Sequence, residues 1–172
     1  DYLYALYEES QNKQFIAKMK EIENEEKFKI FFNKILFDTA CIYAENLGFD
    51  KSKISEIAQK HAEYEYFKGD FNKSIEEYIK TINYYEPSLV VQKFLEKSKL
   101  DYLIKYLEAI VYNIEFKIKD VEGHKSYITL LLNCYIMQEK IPKLKEFIDK
   151  KGQYFSQELI KTVIDVCIET QN

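Results

Sequence analysis

The stretch YFKGDFNKSIEEYIKTI, residues 66–82, has the pattern of two helices joined by a tight turn. Aromatic residues end a first helical segment, Gly69 and Asp70 supply the turn, and a second amphipathic helix follows. The apolar face of that second helix is predicted to comprise Phe71, Ser74, Ile75, Tyr78 and Ile82. The stretch therefore predicts a helical hairpin. Such a hairpin could be an isolated pair, a peptide-binding repeat or one unit of a longer scaffold.

Helical periodicity continues on both sides of this hairpin. Asp50 or Ser52 can cap a helix that precedes it, and Pro87 fits the first turn of a helix that follows it. The buried faces of the flanking helices are predicted to be Ile54, Ile57, Ala58 and Ala62; then Leu89, Val90, Phe94 and Leu95; then Leu100, Leu103, Ile104, Leu107 and Val111.

The rest of the chain is predicted to be a loop and further helices, with one candidate strand. Residues 113–125, which contain Gly123, interrupt the helical pattern and are predicted to form a loop or insertion. Helices are predicted over about residues 126–137, around residues 144–148 with an end at Gly152, and after Ser156. Near the start, YLYALY (residues 2–7) alternates in the manner of a β-strand.

A pattern of apolar or small residues at the first, fourth and eighth positions recurs in four predicted helices. The four sets are Phe37/Ala40/Ala44, Phe71/Ser74/Tyr78, Leu100/Leu103/Leu107 and Ile141/Leu144/Ile148. Their first members are 34, 29 and 41 residues apart, and only the first spacing matches the tetratricopeptide period. Unrelated helices of a bundle can show the same pattern. Successive helix pairs along the whole chain nevertheless favour an all-α, irregular solenoid of antiparallel pairs.

Composition and charge narrow the possible partners. The 172 residues are 47% hydrophobic, enough for a core, and the absence of Pro-rich or Gly/Ser-rich linkers predicts one continuous unit over residues 1–172. The 25 basic residues are all lysine, and with 29 acidic residues the net charge is −4. Nucleic acid is an unexpected partner, because the basic surface and the arginines that read phosphates and bases are absent from the sequence.

The cysteines and the apolar runs favour a protein of the cytoplasm. Cys41, Cys134 and Cys167 are far apart, in odd number, and each lies within an apolar run, which is typical of buried thiols in a reducing compartment. The longest apolar runs are well short of the roughly 20 residues needed to cross a bilayer, so any membrane role is expected to be peripheral. Both ends of the chain are expected to continue in a longer protein.

Few side chains form a pattern with catalytic or metal-binding chemistry. His61 and Glu65 are four residues apart and could form half of a metal site, although a polar pair at a repeat interface is the favoured interpretation. His124 is expected in the loop beside Gly123. The adjacent acids Glu25/Glu26 and Glu76/Glu77 point roughly 100° apart on a helix and are expected on solvated faces. No catalytic, cofactor-binding or metal-binding residue is assigned, and an enzyme, including a metal enzyme built around His61, is disfavoured.

The segments that carry a family resemblance are YIKTI (78–82), EPS (86–88), KFLE (93–96), YLEA (106–109), LLLNCY (130–135) and KLKEFI (143–148). In this order and spacing, from about residue 28 to 151, the chain closely resembles the middle solenoid of the vacuolar protein sorting-associated protein eleven family. The resemblance implies an elongated, right-handed α-solenoid with clathrin-heavy-chain-type repeats. Residues 1–24 match poorly and would lie at the exit from an upstream β-propeller. The family's RING finger is absent from these residues, so no metal ligands are implied.

The function that this resemblance implies is structural. Members of the family belong to the core shared by the HOPS and CORVET complexes, which tether membranes before fusion. The resemblance therefore implies a scaffold segment with other tethering-complex subunits as partners, no cofactor and no small-molecule substrate. It further implies a peripheral position on the cytosolic face of late endosomes, vacuoles or lysosomes. The alternative from the residues alone is a tetratricopeptide-like module that binds a peptide in a groove formed by residues 66–82 and their neighbours.

Overall fold

The computed structural model describes residues 2–9, 13–113 and 121–151, together with Lys161 and Ile164. The chain groups into two compact units, residues 1–49 and residues 50–172. The expectation of a single solenoid segment over residues 1–172 stays a prediction.

The first unit begins with an antiparallel β-hairpin. Strand β1, Tyr2–Glu9, pairs with β2, Lys13–Lys20, in a register that runs from Tyr2 opposite Lys20 to Glu9 opposite Lys13. The strand predicted for residues 2–7 is therefore confirmed. On one face of the ribbon the Lys18 ammonium lies 3.9 Å from the centre of the Tyr2 ring, a cation–π contact between paired strands.

Two helices complete this unit. Helix α1, Asn24–Asn33, and helix α2, Phe37–Asn46, pack through aromatic rings. The rings of Phe28 and Phe31 each lie 5.6 Å from the ring of Tyr43. The Tyr43 hydroxyl donates to Asn24 Oδ1 at 2.7 Å and accepts from Lys27 Nζ at 2.9 Å, so the polar end of the ring is also satisfied.

The described secondary-structure elements of the second unit are all helices. Its elements are α3 (Lys51–Lys68), α4 (Phe71–Ile79), α5 (Pro87–Phe94), a short 3₁₀ turn (Lys97–Lys99), α6 (Leu100–Tyr112), α7 (Val121–Met137) and α8 (Ile141–Lys151). The predicted helix starts at Asp50 and Pro87 are confirmed. Asp50 Oδ1 accepts a hydrogen bond from the Lys53 N–H at 2.9 Å, and Pro87 occupies the first turn of α5.

The four recurring apolar sets all begin at a helix start. Phe37, Phe71, Leu100 and Ile141 are the first residues of α2, α4, α6 and α8. The fourth-position residues of these helices, Ala40, Ser74, Leu103 and Leu144, are at most 1% exposed. Ile141 departs from the pattern, because 42% of its surface is exposed. The repetition seen in the sequence is therefore a repetition of helix starts and buried faces.

Helices of the second unit pack mainly on their neighbours in the chain. Helix α3 packs on α4, α4 on α6, α6 on α7, and α7 on α8, with the short α5 against α6. One continuous core follows this order, and α6 contributes its largest share, with Leu103, Ile104, Leu107 and Ile110 all at most 1% exposed. This arrangement confirms the predicted all-α solenoid class for the helical part. Among the described helices, none has both the length and the apolar character needed to cross a bilayer.

The structure corrects three expectations about local structure. Leu89 and Leu95 are exposed, and Val91 takes the place expected for them in the buried face of α5. Helix α7 begins at Val121, so Gly123 and His124 lie within its first turns instead of in a loop; residues 114–120 lie outside the described part. Glu77, expected on a solvated face, is buried. The predicted end at Gly152, the predicted helix after Ser156 and Cys167 fall outside the described residues, apart from Lys161 and Ile164.

Four of the helix ends share one backbone turn. After α1, α2, α3 and α7 a single residue adopts a left-handed conformation: Ile35, Gly48, Gly69 and Glu139, with φ of 60°, 71°, 88° and 52°. In each case the next N–H closes the turn on a carbonyl five residues back, as in Asp70 N to Glu65 O at 2.9 Å. These are Schellman turns, in which glycine is the residue without steric cost. A β-branched isoleucine at this conformation is strained.

We expect Ile35→Gly to raise the free energy of unfolding by about 1 kcal/mol, because it relieves the left-handed strain and removes a side chain that is already half exposed. We expect Gly69→Ala to lower it by about 1 kcal/mol, although the space around Gly69 would admit a methyl group. Urea unfolding of both variants checks the pair. A destabilised Ile35→Gly variant would show that the isoleucine side chain contributes packing that outweighs the strain.

Candidate functional site

The residues that could form a peptide groove lie where α3, α4, α5 and α6 meet. The rings of Phe71 and Phe94 each lie 5.3 Å from the ring of Tyr66, at steep angles, and Phe71 and Phe94 are 6.2 Å apart. Tyr102 from α6 lies 5.9 Å from Phe71 and so joins the same cluster. Phe94 is completely buried. Edge-to-face contacts of this kind are a favourable arrangement for aromatic rings in a core.

Two lysines form hydrogen bonds with tyrosine hydroxyls at the edge of this aromatic cluster. The Tyr66 hydroxyl donates to the Lys93 carbonyl at 2.9 Å and accepts from Lys99 Nζ at 2.8 Å. Lys93 Nζ donates to the Tyr78 hydroxyl at 3.1 Å. The hydrogen bond with Tyr66 raises the pKa of Lys99, and burial raises the pKa of Tyr78, so both groups keep their ordinary protonation states at neutral pH.

The aromatic cluster is therefore a closed packing site. Phe94 of α5 contacts the rings of Tyr66 on α3 and of Phe71 and Tyr78 on α4, and it is completely buried among them. In the stretch 66–82, the rings of Tyr66, Phe71 and Tyr78 each pack against Phe94 of the adjacent helix α5. Phe67 is the exception in this stretch, because 84% of its surface is exposed.

A second group of side chains joins α3 to α4 through buried polar contacts. His61 Nε2 lies 3.4 Å from Glu65 Oε1, and His61 Nδ1 lies 3.7 Å from Glu77 Oε2. All three residues are buried. Beside them, the Ser74 hydroxyl donates to the Ala62 carbonyl at 2.8 Å. We refer to His61, Glu65, Glu77 and Ser74 as the polar cluster. His61 and Glu65 thus form a buried polar pair, and this pair lies between the two helices of one hairpin, α3 and α4.

Lysines at the edge of the polar cluster offset the charge of its carboxylates. Glu65 meets Lys73 at 3.1 Å and Lys68 at 3.2 Å, while Glu77 meets Lys80 at 2.6 Å. Burial acts to raise the pKa of Glu65, but the hydrogen bonds and charges of Lys73 and Lys68 together outweigh it, so the pKa is lowered. Glu65 is therefore ionised at neutral pH and forms part of a charged network.

The arrangement within the polar cluster differs from a metal site. The two ring nitrogens of His61 face different carboxylates, Nε2 towards Glu65 and Nδ1 towards Glu77. A single metal ion bound to one of these nitrogens would therefore not lie between His61 and both carboxylates. Over residues 2–9, 13–113 and 121–151, no group of three or more His, Cys, Asp or Glu side chains has the geometry to hold a metal ion.

The other residues considered in the sequence are either buried in the helix packing or exposed on a helix surface. His124 is buried in α7, and its Nε2 lies 3.1 Å from the Val111 carbonyl near the end of α6, so its expected place in a loop was wrong. Glu25 and Glu26 are exposed, as predicted. Cys134 is buried, and desolvation raises the pKa of its thiol to about 11. A thiol in this state is protonated and unreactive.

Sequence reasoning missed Glu77 as a member of the polar cluster. Helical spacing places Glu77 near Ser74 and Tyr78, both of which were predicted to face inward. That spacing was the available signal. It was outweighed by the usual preference of glutamate for the surface.

The comparisons with known proteins agree with this geometry. A family model described as PEP5/VPS11 clathrin repeat matches residues 66–171, from the aromatic end of α3 onward. The chain belongs to this family. The resemblance stated from the sequence is thus confirmed. The match starts after the point where that resemblance began and extends beyond its expected end.

Curated VPS11 relatives support the same assignment. The chain is 30% identical to the human vacuolar protein sorting-associated protein 11 homolog over 148 residues, 86% of the chain and 15% of the relative. It is 32% identical to the Arabidopsis thaliana homolog over 148 residues, with the same shares covered. It is also 34% identical to the Caenorhabditis elegans homolog over 125 residues, 72% of the chain and 12% of the relative. The chain thus spans about 15% of the length of the first two relatives.

A truncation in the aromatic cluster tests whether its rings form a core. We expect Phe94→Ala to lower the free energy of unfolding by about 3–5 kcal/mol, because it leaves a cavity among Tyr66, Phe71 and Tyr102. The neighbouring Leu95→Ala, at a residue that is 55% exposed, is expected to change it by less than about 1 kcal/mol. Denaturant unfolding measures both. Equal effects would indicate that the Phe94 site is open to solvent.

The lowered pKa of Glu65 predicts a pH dependence of stability. A carboxyl whose pKa is lower in the folded state stabilises the fold above its ordinary value of 4.5, and this contribution is lost as the pH falls through the folded value. We therefore expect Glu65→Gln to flatten the acid limb of the stability curve below about pH 4.5. Lys73→Met should move that limb to higher pH, since it removes an ammonium group that lowers the pKa. Thermal unfolding from pH 2.5 to 7 measures both effects, and an unchanged acid limb in Glu65→Gln would contradict the assignment.

Proposed function

We propose that this chain is a structural scaffold segment of a subunit of a HOPS/CORVET-like membrane-tethering complex. In this role it acts in vesicle-mediated protein transport and in membrane fusion at endosomes and at the vacuole or lysosome. The observation that carries the proposal is the family match over residues 66–171, a range that includes the described helices α4 to α8 of the second unit. The names of the relatives, which refer to vacuolar protein sorting, supply the cellular process.

The packing of the described helices supports a mechanical role. The side chains that could take part in acid–base chemistry are already engaged in structural contacts. These are the tyrosines of the aromatic cluster and the carboxylates of the polar cluster. Helices that pack on successive neighbours transmit force and orientation along the array, which suits a spacer between partners. We propose that the segment has no catalytic activity and needs no cofactor.

Partners and location follow from the same proposal. Other subunits of the tethering complex are the proposed partners, and nucleic acid and small-molecule substrates are not among them. Membrane association is proposed to be peripheral and mediated by the complex, on the cytosolic face of late endosomes, vacuoles or lysosomes. A peptide-binding adaptor, the alternative, would need an open aromatic groove, and the buried Phe94 argues against one beside residues 66–82.

A pair of variants in one helix of the full-length subunit tests this function. Leu103→Asp places a charge in the buried core of α6, whereas Lys105→Asp places the same residue on its exposed face. We expect Leu103→Asp to unfold the segment locally, because an unpaired buried charge is not tolerated, and Lys105→Asp to leave it folded. The two full-length proteins are expressed in cells that lack the endogenous subunit, and complex assembly and vacuole or lysosome fusion are measured.

The scaffold proposal predicts that Leu103→Asp abolishes co-purification of the other tethering subunits or blocks fusion, and that Lys105→Asp behaves as the wild type. Circular dichroism of the isolated 172-residue chain establishes whether Leu103→Asp has disrupted the helices. Normal assembly and fusion with a disrupted segment would refute the scaffold role.

A further inference from the structure

Helix α8 has an apolar groove beside the face that packs on α7. The packed face is marked by Phe147, which is 2% exposed and whose ring lies 6.3 Å from the ring of Tyr135 on α7. The groove residues share one stripe of the helix, at spacings of three and four: Ile141, Leu144, Lys145 and Ile148. Ile141 is 42% exposed within this stripe. An apolar stripe on a helix of a globular protein is typically covered by another apolar surface.

The residues that follow α8 contain an apolar stripe of matching length. At about 100° per residue, the apolar side chains of a helix over residues 157–168 group mainly within an arc of about 120°. The members of this arc, called the C-terminal stripe, are Leu159, Ile160, Val163, Val166 and Cys167. The polar residues 157, 158, 161, 162 and 165 fall outside the arc. The groove and the C-terminal stripe both run for about two helical turns.

The two described residues in this part of the chain indicate which side of such a helix meets solvent. Lys161 and Ile164 are helical, and both are exposed, Ile164 at 51%. They lie about 60° apart around a helix, and Leu159, Val163 and Val166 belong to the opposite side. Exposure of Lys161 and Ile164 is therefore the pattern expected of a helix that is seated through the C-terminal stripe.

The connection from the groove to the C-terminal stripe is short. Residues 152–156 join Lys151, the last residue of α8, to the helix predicted after Ser156. A connection of about five residues favours an antiparallel neighbouring helix. In that arrangement Ile148 lies opposite the start of the stripe, and Ile141 lies opposite Cys167. One family match covers both α8 and these residues, since it extends to residue 171.

We propose that residues 157–168 form a helix that occupies the groove of α8, antiparallel to α8, with the C-terminal stripe turned towards Leu144 and Ile148. The groove is then an interface within this chain and not a docking surface for another subunit. Helix α8 gains a packed neighbour on each side, as α4 has in α3 and α6. This inference rests on the groove and on the sequence that follows it, and it does not depend on the tethering function.

Cross-linking from the native Cys167 tests this placement in the 172-residue chain. The substitutions Cys41→Ser and Cys134→Val leave Cys167 as the only native thiol. One variant then adds Ile141→Cys in the groove, and a matched control adds Glu146→Cys on the exposed opposite side of the same helix. A short bifunctional maleimide joins thiols that lie close together. Intact-mass and peptide analysis separates bridges within one chain from bridges between two chains.

We expect the bridge within one chain to form at least about tenfold faster from Ile141→Cys than from Glu146→Cys, because a seated helix holds Cys167 at the groove. A loose segment would reach both positions about equally. Adding Val163→Asp, which places a charge in the C-terminal stripe, should abolish the preference for the groove. Adding Lys161→Asp, at an exposed position, should preserve it.

Three outcomes would overturn the proposal. Equal rates from Ile141→Cys and Glu146→Cys would show that the segment is not seated in the groove. A predominance of bridges between two chains from Ile141→Cys would show that a second copy occupies the groove instead. A preference that survives Val163→Asp unchanged would show that the C-terminal stripe is not the face that makes the contact.

Discussion

The backbone hydrogen bond from the Asp70 N–H to the Glu65 carbonyl, 2.9 Å long, reverses the chain after α3. The Asp70 side chain then accepts from the Lys73 N–H at 3.1 Å and begins α4, so one residue ends the turn of one helix and caps the next. A connection this short places the two helices side by side. The polar cluster, the aromatic cluster and the packing of α5 and α6 all depend on that placement, because each combines side chains from α3 or α4 with residues later in the chain.

Apolar and polar contacts contribute differently to the structure of the second unit. Apolar and aromatic contacts supply most of the favourable free energy, through residues such as Phe94, Leu103 and Leu107, which are fully buried. Polar contacts such as the Tyr66 hydroxyl on the Lys93 carbonyl add direction at the edges of those contacts. A stack built in this way binds each helix to its neighbours in the sequence. It therefore suits the scaffold role that we propose for this segment.

The sequence predicted most of the helical part, for identifiable physical reasons. Strong local signals located the helix starts at Asp50 and Pro87 and the turn at Gly69 and Asp70, and the recurring apolar sets located the buried faces of α2, α4 and α6. Residues whose environment is set by distant parts of the chain were predicted less well. Leu89 and Leu95 have the right residue type for a core but face solvent, while Glu77 has the wrong type and is buried because Lys80 and His61 meet it. The left-handed turns at Ile35 and Glu139 were also missed, since neither residue type signals that conformation.

Each helix of the second unit is stabilised by its neighbours in the stack, and residue-resolved hydrogen exchange in low denaturant tests this most directly. The opening free energies of backbone amides are then expected to be highest in α4 and α6 and to fall stepwise through α7 to α8, since a stack of nearest neighbours opens from its ends. A single opening free energy shared by all the amides of α3 to α8 would contradict it. That result would describe one globally cooperative bundle, in which the order of the helices along the chain has no bearing on their stability.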